Sequence, residues 1–185
     1  KAPQIWDACR FVVDTQGEDG MFILTGSAEP PESDKISHSG TGRVGWVKMR
    51  PMSLWESEES NGAISIAKLF DGEFKATAAK EYSLREMCYL ICRGGWPKTI
   101  GKSERAALKQ AYNYVDAVAK RDIKEVDEVN RSEMNTRKLL RSYARNQASQ
   151  ANKSTIASDM ESFDGQKMDE DTIASYIKAL KKIFV

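Results

Sequence analysis

Two hydroxyls and one guanidinium stand where they could handle a phosphoryl group. Thr25 and Ser27 follow the apolar run Met21-Phe22-Ile23-Leu24, with Gly26 between them. Four apolar residues bounded by turn residues read as a strand buried on both faces. In open α/β sheets, ligands bind beyond the carboxyl ends of the strands. A Thr25 hydroxyl at such an end can reach a phosphate or an attacking water, with Ser27 as a second candidate. Gly26 lets the backbone pass close by. Arg43 follows Gly40-Thr41-Gly42, and a guanidinium there can stabilise transition-state charge on a phosphoryl group. The plain alternative is structural: Thr25 and Ser27 as turn formers, Arg43 as an exposed residue opening a strand.

The surrounding elements must position these groups. Pro3 suits the first turn of a helix in which Ile5, Trp6, Cys9, Val12 and Val13 share one face. Gln16 to Gly20 make a polar turn before the apolar run. A loop rich in Pro, Ser and Gly spans 29–42, and Arg43 to Met49 alternate as a second strand. Pro51-Met52-Ser53-Leu54-Trp55-Glu56 closes this helix, strand, loop, strand unit.

Further along, residues 57–62 form a polar breaker and 65–70 read as a turn or two of helix ended by Gly72. Ser83 with Glu86 three residues on is a capping-box pattern. It opens a helix with Leu84, Met87, Cys88, Ile91 and Cys92 on its apolar face, stopped by Gly94-Gly95-Trp96-Pro97. Arg93, beside that turn, is a candidate phosphate contact. A long helix runs from Ser103 or Glu104 to about Lys120. Three more helices follow, opened by Ser132, by Lys153 and by the cap Asp169. The last two, short then longer across a turn, match a helix-turn-helix arrangement, with Ile183-Phe184-Val185 as the start of a wing strand.

The chain has 185 residues, 41% hydrophobic and 30% charged, which is ordinary for a globular protein. Its 28 basic and 27 acidic side chains leave a net charge of +1, which argues against a nucleic-acid-binding surface over the whole chain. No apolar run approaches a membrane span. Three cysteines, Cys9, Cys88 and Cys92, form no even framework and fit a reducing cytoplasm. The only histidine, His38, lies far from the Cys88/Cys92 pair, so the expectation there is buried structural thiols and no metal site.

Leu24-Thr25-Gly26-Ser27, Gly42-Arg43, Arg50-Pro51-Met52-Ser53-Leu54-Trp55-Glu56 and Gly94-Gly95-Trp96-Pro97 resemble, in this order and spacing, the second half of a prokaryotic P-loop ATPase. That family belongs to the AAA+-like, signalling-type ATPases and carries a C-terminal domain of unknown function. The resemblance covers nearly the whole chain. It implies that Thr25 occupies a sensor position for the γ-phosphate, that Arg43 acts as finger or sensor, and that Gly95 and Pro97 border the adenine. The family's ATP and Mg²⁺ are implied for the intact protein. Two of its motifs are missing: no Gly-x-x-x-x-Gly-Lys-Ser/Thr occurs, and no apolar strand ends in Asp-Glu. The chain therefore reads as an internal piece of a longer protein and is not expected to hydrolyse ATP by itself.

The expected fold is α/β plus α and mostly helical. It comprises the C-terminal part of a P-loop NTPase α/β layer at 1–56, a helical lid at 57–131 and a truncated winged-helix domain at 132–185. The expected partners are nucleotide and the rest of its own chain. An exposed sheet edge would favour self-association. The alternative function is DNA binding or tethering through the winged helix. Arg141 and Arg145 on one helix and Lys178 on the last would then contact phosphates. The acidic start Asp169-Glu170-Asp171 weighs against it.

Overall fold

The structure, a computed structural model, describes residues 4–27, 43–73, 81–127, 129–165 and 167–185. The described residues form α1 (Gln4–Gln16), α2 (Ile66–Phe70), α3 (Leu84–Arg93), α4 (Glu104–Lys120), α5 (Glu133–Arg145), α6 (Lys153–Asp164) and α7 (Glu170–Lys182), with short 3-10 turns at Pro97–Thr99 and Asp122–Lys124. None of these helices is long and apolar enough to cross a membrane. The chain divides into two compact units. One is Lys48–Val118; the other joins Lys1–Val47 to Ala119–Val185.

The helices start where side chains can satisfy orphan amides. Ser83 accepts from the Glu86 amide while the Glu86 carboxylate accepts from the Ser83 amide at 2.8 Å, a complete capping box for α3. Ser132, Asn152 and Asp169 cap α5, α6 and α7 by accepting from the amide three residues on. Gly165, at φ +64°, ends α6 in the left-handed conformation that glycine adopts without strain.

In the second unit, α6 packs against both α5 and α7. Leu139, Ile156, Met160 and Ile173 have no exposed surface, and Met168, Tyr176 and Leu180 extend this core. Arg131, buried ahead of α5, ties the helices together. It binds Asp127 on one side and the Ser175 hydroxyl of α7, at 3.0 Å, on the other. The Ser132 amide donates to the Tyr176 hydroxyl at 2.9 Å. The buried Thr136 hydroxyl donates to the Ser132 carbonyl at 2.9 Å, so this polar group is satisfied.

The expected α/β layer and winged helix are not what forms: among the described residues there is no strand and no sheet. Residues 21–27 and 44–49 carry the apolar pattern of strands, yet no ladder joins them. Ile23 and Val47 are 89% and 92% exposed. A strand is a pairing, and its amides and carbonyls need a neighbouring strand to bond to. The wing fails for a different reason. The amides of Ile183, Phe184 and Val185 turn back to the carbonyls of Leu180 and Lys181, and Phe184 sits at φ +60°. That is a helix C-terminal turn and not the opening of a strand. Among the described residues the C-terminal region is thus three helices closed by that turn.

Candidate functional site

Thr25 and Ser27 both lie exposed in the segment after α1, and among the described residues no hydrogen bond joins either to Arg43. The three residues preceding Arg43, read as a close-approach turn, lie outside the described residues, as do His38 and the loop at 29–42.

Arg43 is held on α1. Its Nε donates to the Asp14 carboxylate, with the two side chains 47% and 38% exposed. Three residues later the Trp46 ring stacks on Trp6, centroids 5.4 Å apart and planes inclined by 30°. Asp14 is in the last turn of α1 and Trp6 near its first. Eight helical residues advance about 12 Å, and three residues of chain reach at most about 11 Å. The two contacts lay residues 43–46 against α1, with Arg43 toward its C-terminal end and Trp46 toward its N-terminal end.

Gly95 lies in the other unit, at a backbone crossing. The Met52 amide donates to the Gly95 carbonyl at 2.8 Å. A Cβ on Gly95 would stand 2.2 Å from the Met52 carbonyl oxygen and 2.8 Å from its amide nitrogen. Only glycine permits that approach. Pro97, exposed, opens the 3-10 turn Pro97–Thr99, and the Trp96 ring before it lies 4.5 Å from that of Tyr114. Around this crossing a polar knot forms. Arg93, 4% exposed, grips both carboxylate oxygens of Glu59 and donates through Nε to the Gly94 carbonyl at 3.1 Å. The Tyr82 hydroxyl donates to the Glu59 carbonyl. The hydrogen bond to Glu59 holds the Arg93 guanidinium above its usual pKa. Arg93, read from sequence as a phosphate contact, is therefore committed to a carboxylate. Ser53 and Glu56 bind each other reciprocally just after Met52, and the Ser53 amide and hydroxyl hold the Glu56 carboxyl below its usual range.

The basic side of α5 is neutralised by α6. Arg145 donates to Asp159 at 2.6 and 3.0 Å and to Asp164 at 3.2 Å, and its guanidinium lies 4.6 Å from the Phe163 ring centre. Arg141 lies 3.7 Å from Asp164. These contacts raise the Arg145 pKa, chiefly through the bond to Asp159, and depress that of Asp159. Lys178 is exposed on α7. Arg145 is thus held by two carboxylates, while Arg141 stays 66% exposed beside one.

Cys88 and Cys92 are exposed along with Leu84 and Ile91, so the apolar face of α3 is open and the two thiols are not buried. Sequence reasoning missed Asp14, Glu59 and Arg131. The partners of Asp14 and Glu59 lie 29 and 34 residues away, and Arg131 reaches Ser175 across 44 besides its nearby Asp127.

Comparison with curated proteins and with solved structures found no match. A family model does match. It covers residues 84–185, more than half of the chain, and takes in α3 to α7. The chain belongs to this family, described as a domain of unknown function, DUF8612.

Proposed function

We propose that the protein is part of an ATP-binding ATPase of the cytoplasm, in which hydrolysis is coupled to a conformational change. Arg43 acts on the phosphoryl group as finger or sensor. Thr25 senses the γ-phosphate, with Ser27 beside it. The phosphate loop that this sequence lacks comes from another segment, in its own chain or a neighbouring one. Mg²⁺ would arrive with the nucleotide, held by its phosphates and one or two carboxylates from the segment that carries the phosphate loop. No step is assigned to it. The three free cysteines suit a reducing compartment.

The observation that carries the reading is the Arg43 side chain. It is half-exposed and anchored through Nε, and among the described residues Nη1 and Nη2 have no partner. Those two nitrogens are the fork with which arginine grips phosphoryl oxygens. The test is ATP binding and turnover, with and without Mg²⁺, by this chain and by the protein together with a segment carrying a phosphate loop. Turnover is expected only in the second case. Arg43→Ala should lower kcat by roughly a thousandfold with nucleotide affinity nearly unchanged. Equal losses in both would mean that Arg43 merely binds ground state.

A further inference from the structure

We propose that Asp14 is the positioning residue for Arg43, holding the guanidinium by one edge so that its fork faces the phosphoryl group. The inference rests on the reading of Arg43 just given and extends it to a residue with no phosphate-binding chemistry of its own.

Three observations on one element support it. First, the carboxylate meets Nε, the guanidinium nitrogen nearest the backbone. A carboxylate meant to neutralise arginine would take the fork in two parallel bonds, as Glu59 does with Arg93. Second, the last turn of α1 has no basic residue of its own. The carbonyl end of a helix carries partial negative charge, and Asp14 adds to it. Arg43 is the cation that this end attracts, so its place is fixed by a field as well as by one bond. Third, the Trp6–Trp46 stack pins the same segment at the other end of α1. Arg43 therefore has little freedom to slide along the helix. Two anchors on one rigid helix leave only the terminal nitrogens to adapt to a ligand.

The experiment measures steady-state turnover of the nucleotide-hydrolysing protein with Asp14→Asn, Asp14→Glu, Arg43→Ala and the Asp14→Asn/Arg43→Ala double variant. Displacing a catalytic group by about 1 Å costs on the order of a hundredfold. Asp14→Asn should accordingly lower kcat ten- to a hundredfold at unchanged KM for nucleotide. Asp14→Glu should restore most of the loss, and the double variant should be no slower than Arg43→Ala. The thermal midpoint should not move, since an exposed ion pair adds little to stability. A lost midpoint or a raised KM in Asp14→Asn would make Asp14 a structural residue. Full turnover in Asp14→Asn alongside a crippled Arg43→Ala would overturn the positioning role and leave the finger standing. Full turnover in Arg43→Ala would remove the finger, and the positioning role with it. No turnover in the unsubstituted protein would remove the ATPase reading itself.

Discussion

Replacing Gly95 by alanine puts a methyl carbon 2.2 Å from the Met52 carbonyl oxygen, 2.8 Å from the Met52 nitrogen and 3.0 Å from Pro51 Cβ. The first two are backbone atoms and cannot swing aside. Relief requires the two chains to part, which also breaks the 2.8 Å bond from the Met52 amide to the Gly95 carbonyl. Overpacking costs about 1–3 kcal/mol and the hydrogen bond about 0.5–1.5 kcal/mol. Together the loss is about 2–4 kcal/mol, or roughly 5–15 °C in melting temperature for a chain of this size. The assay is urea unfolding, with amide exchange at Met52 as a local readout. Two controls separate the causes. A Cβ on Gly45 meets nothing within 4 Å, so Gly45→Ala should be neutral. Gly101 also has open space but sits at φ +71°, so Gly101→Ala isolates left-handed strain of about 1–2 kcal/mol. If Gly95→Ala costs no more than Gly101→Ala, and the Met52 amide stays protected, the crossing is not as tight as described and the argument fails.

Ile173→Ala should destabilise the α5–α7 arrangement by about 2–5 kcal/mol in urea, because Ile173 has no exposed surface. In the other unit, Glu59→Gln and Arg93→Met should be strongly non-additive, since each removes the same paired contact; independent losses would refute the pair. Acid should weaken the second unit in a defined window. The carboxyls of Asp127, Asp159 and Asp169 are held below their usual range, chiefly by Arg131, by Arg145 and by the Thr172 hydroxyl respectively. Their contribution is complete above the unfolded pKa of about 4. It is lost as pH falls from there through the depressed folded values. Asp127→Asn should flatten that acid limb in a pH series of urea midpoints.

Much of the helical framework was legible because it is local. Ser83 with Glu86, Ser132 and Asp169 mark helix starts by their own chemistry, and α3, α5 and α7 begin there. Within α7 the helically spaced Ile173, Tyr176 and Leu180 are buried and Ile177 is half-buried. What failed was pairing at a distance. The run Phe22-Ile23-Leu24 has strand chemistry, but a strand depends on partners its own residues do not encode. The same limit hid Asp14, whose type carries no hint of Arg43 until α1 and residues 43–46 lie side by side. For Gly95 the resemblance implied an adenine alongside. The structure supplies the nearby group from Met52. The Cys88/Cys92 spacing was read as an inward face, and α3 presents it outward.

The reach of Arg131 to Ser175 spans 44 residues, and it sets an order of assembly. During synthesis α5 and α6 leave the ribosome ahead of α7. Until α7 arrives, the Arg131 guanidinium lacks its Ser175 partner, and Ile156 and Met160 lie open on one side of a half-built core. Contacts between residues distant in sequence form late, and apolar surface exposed meanwhile invites aggregation. A ribosome stalled with α6 outside and α7 still within its exit tunnel would hold the nascent chain in that state, a natural client for a chaperone. A premature stop ahead of Glu170 would leave an adhesive product and not merely a chain shorter by one helix.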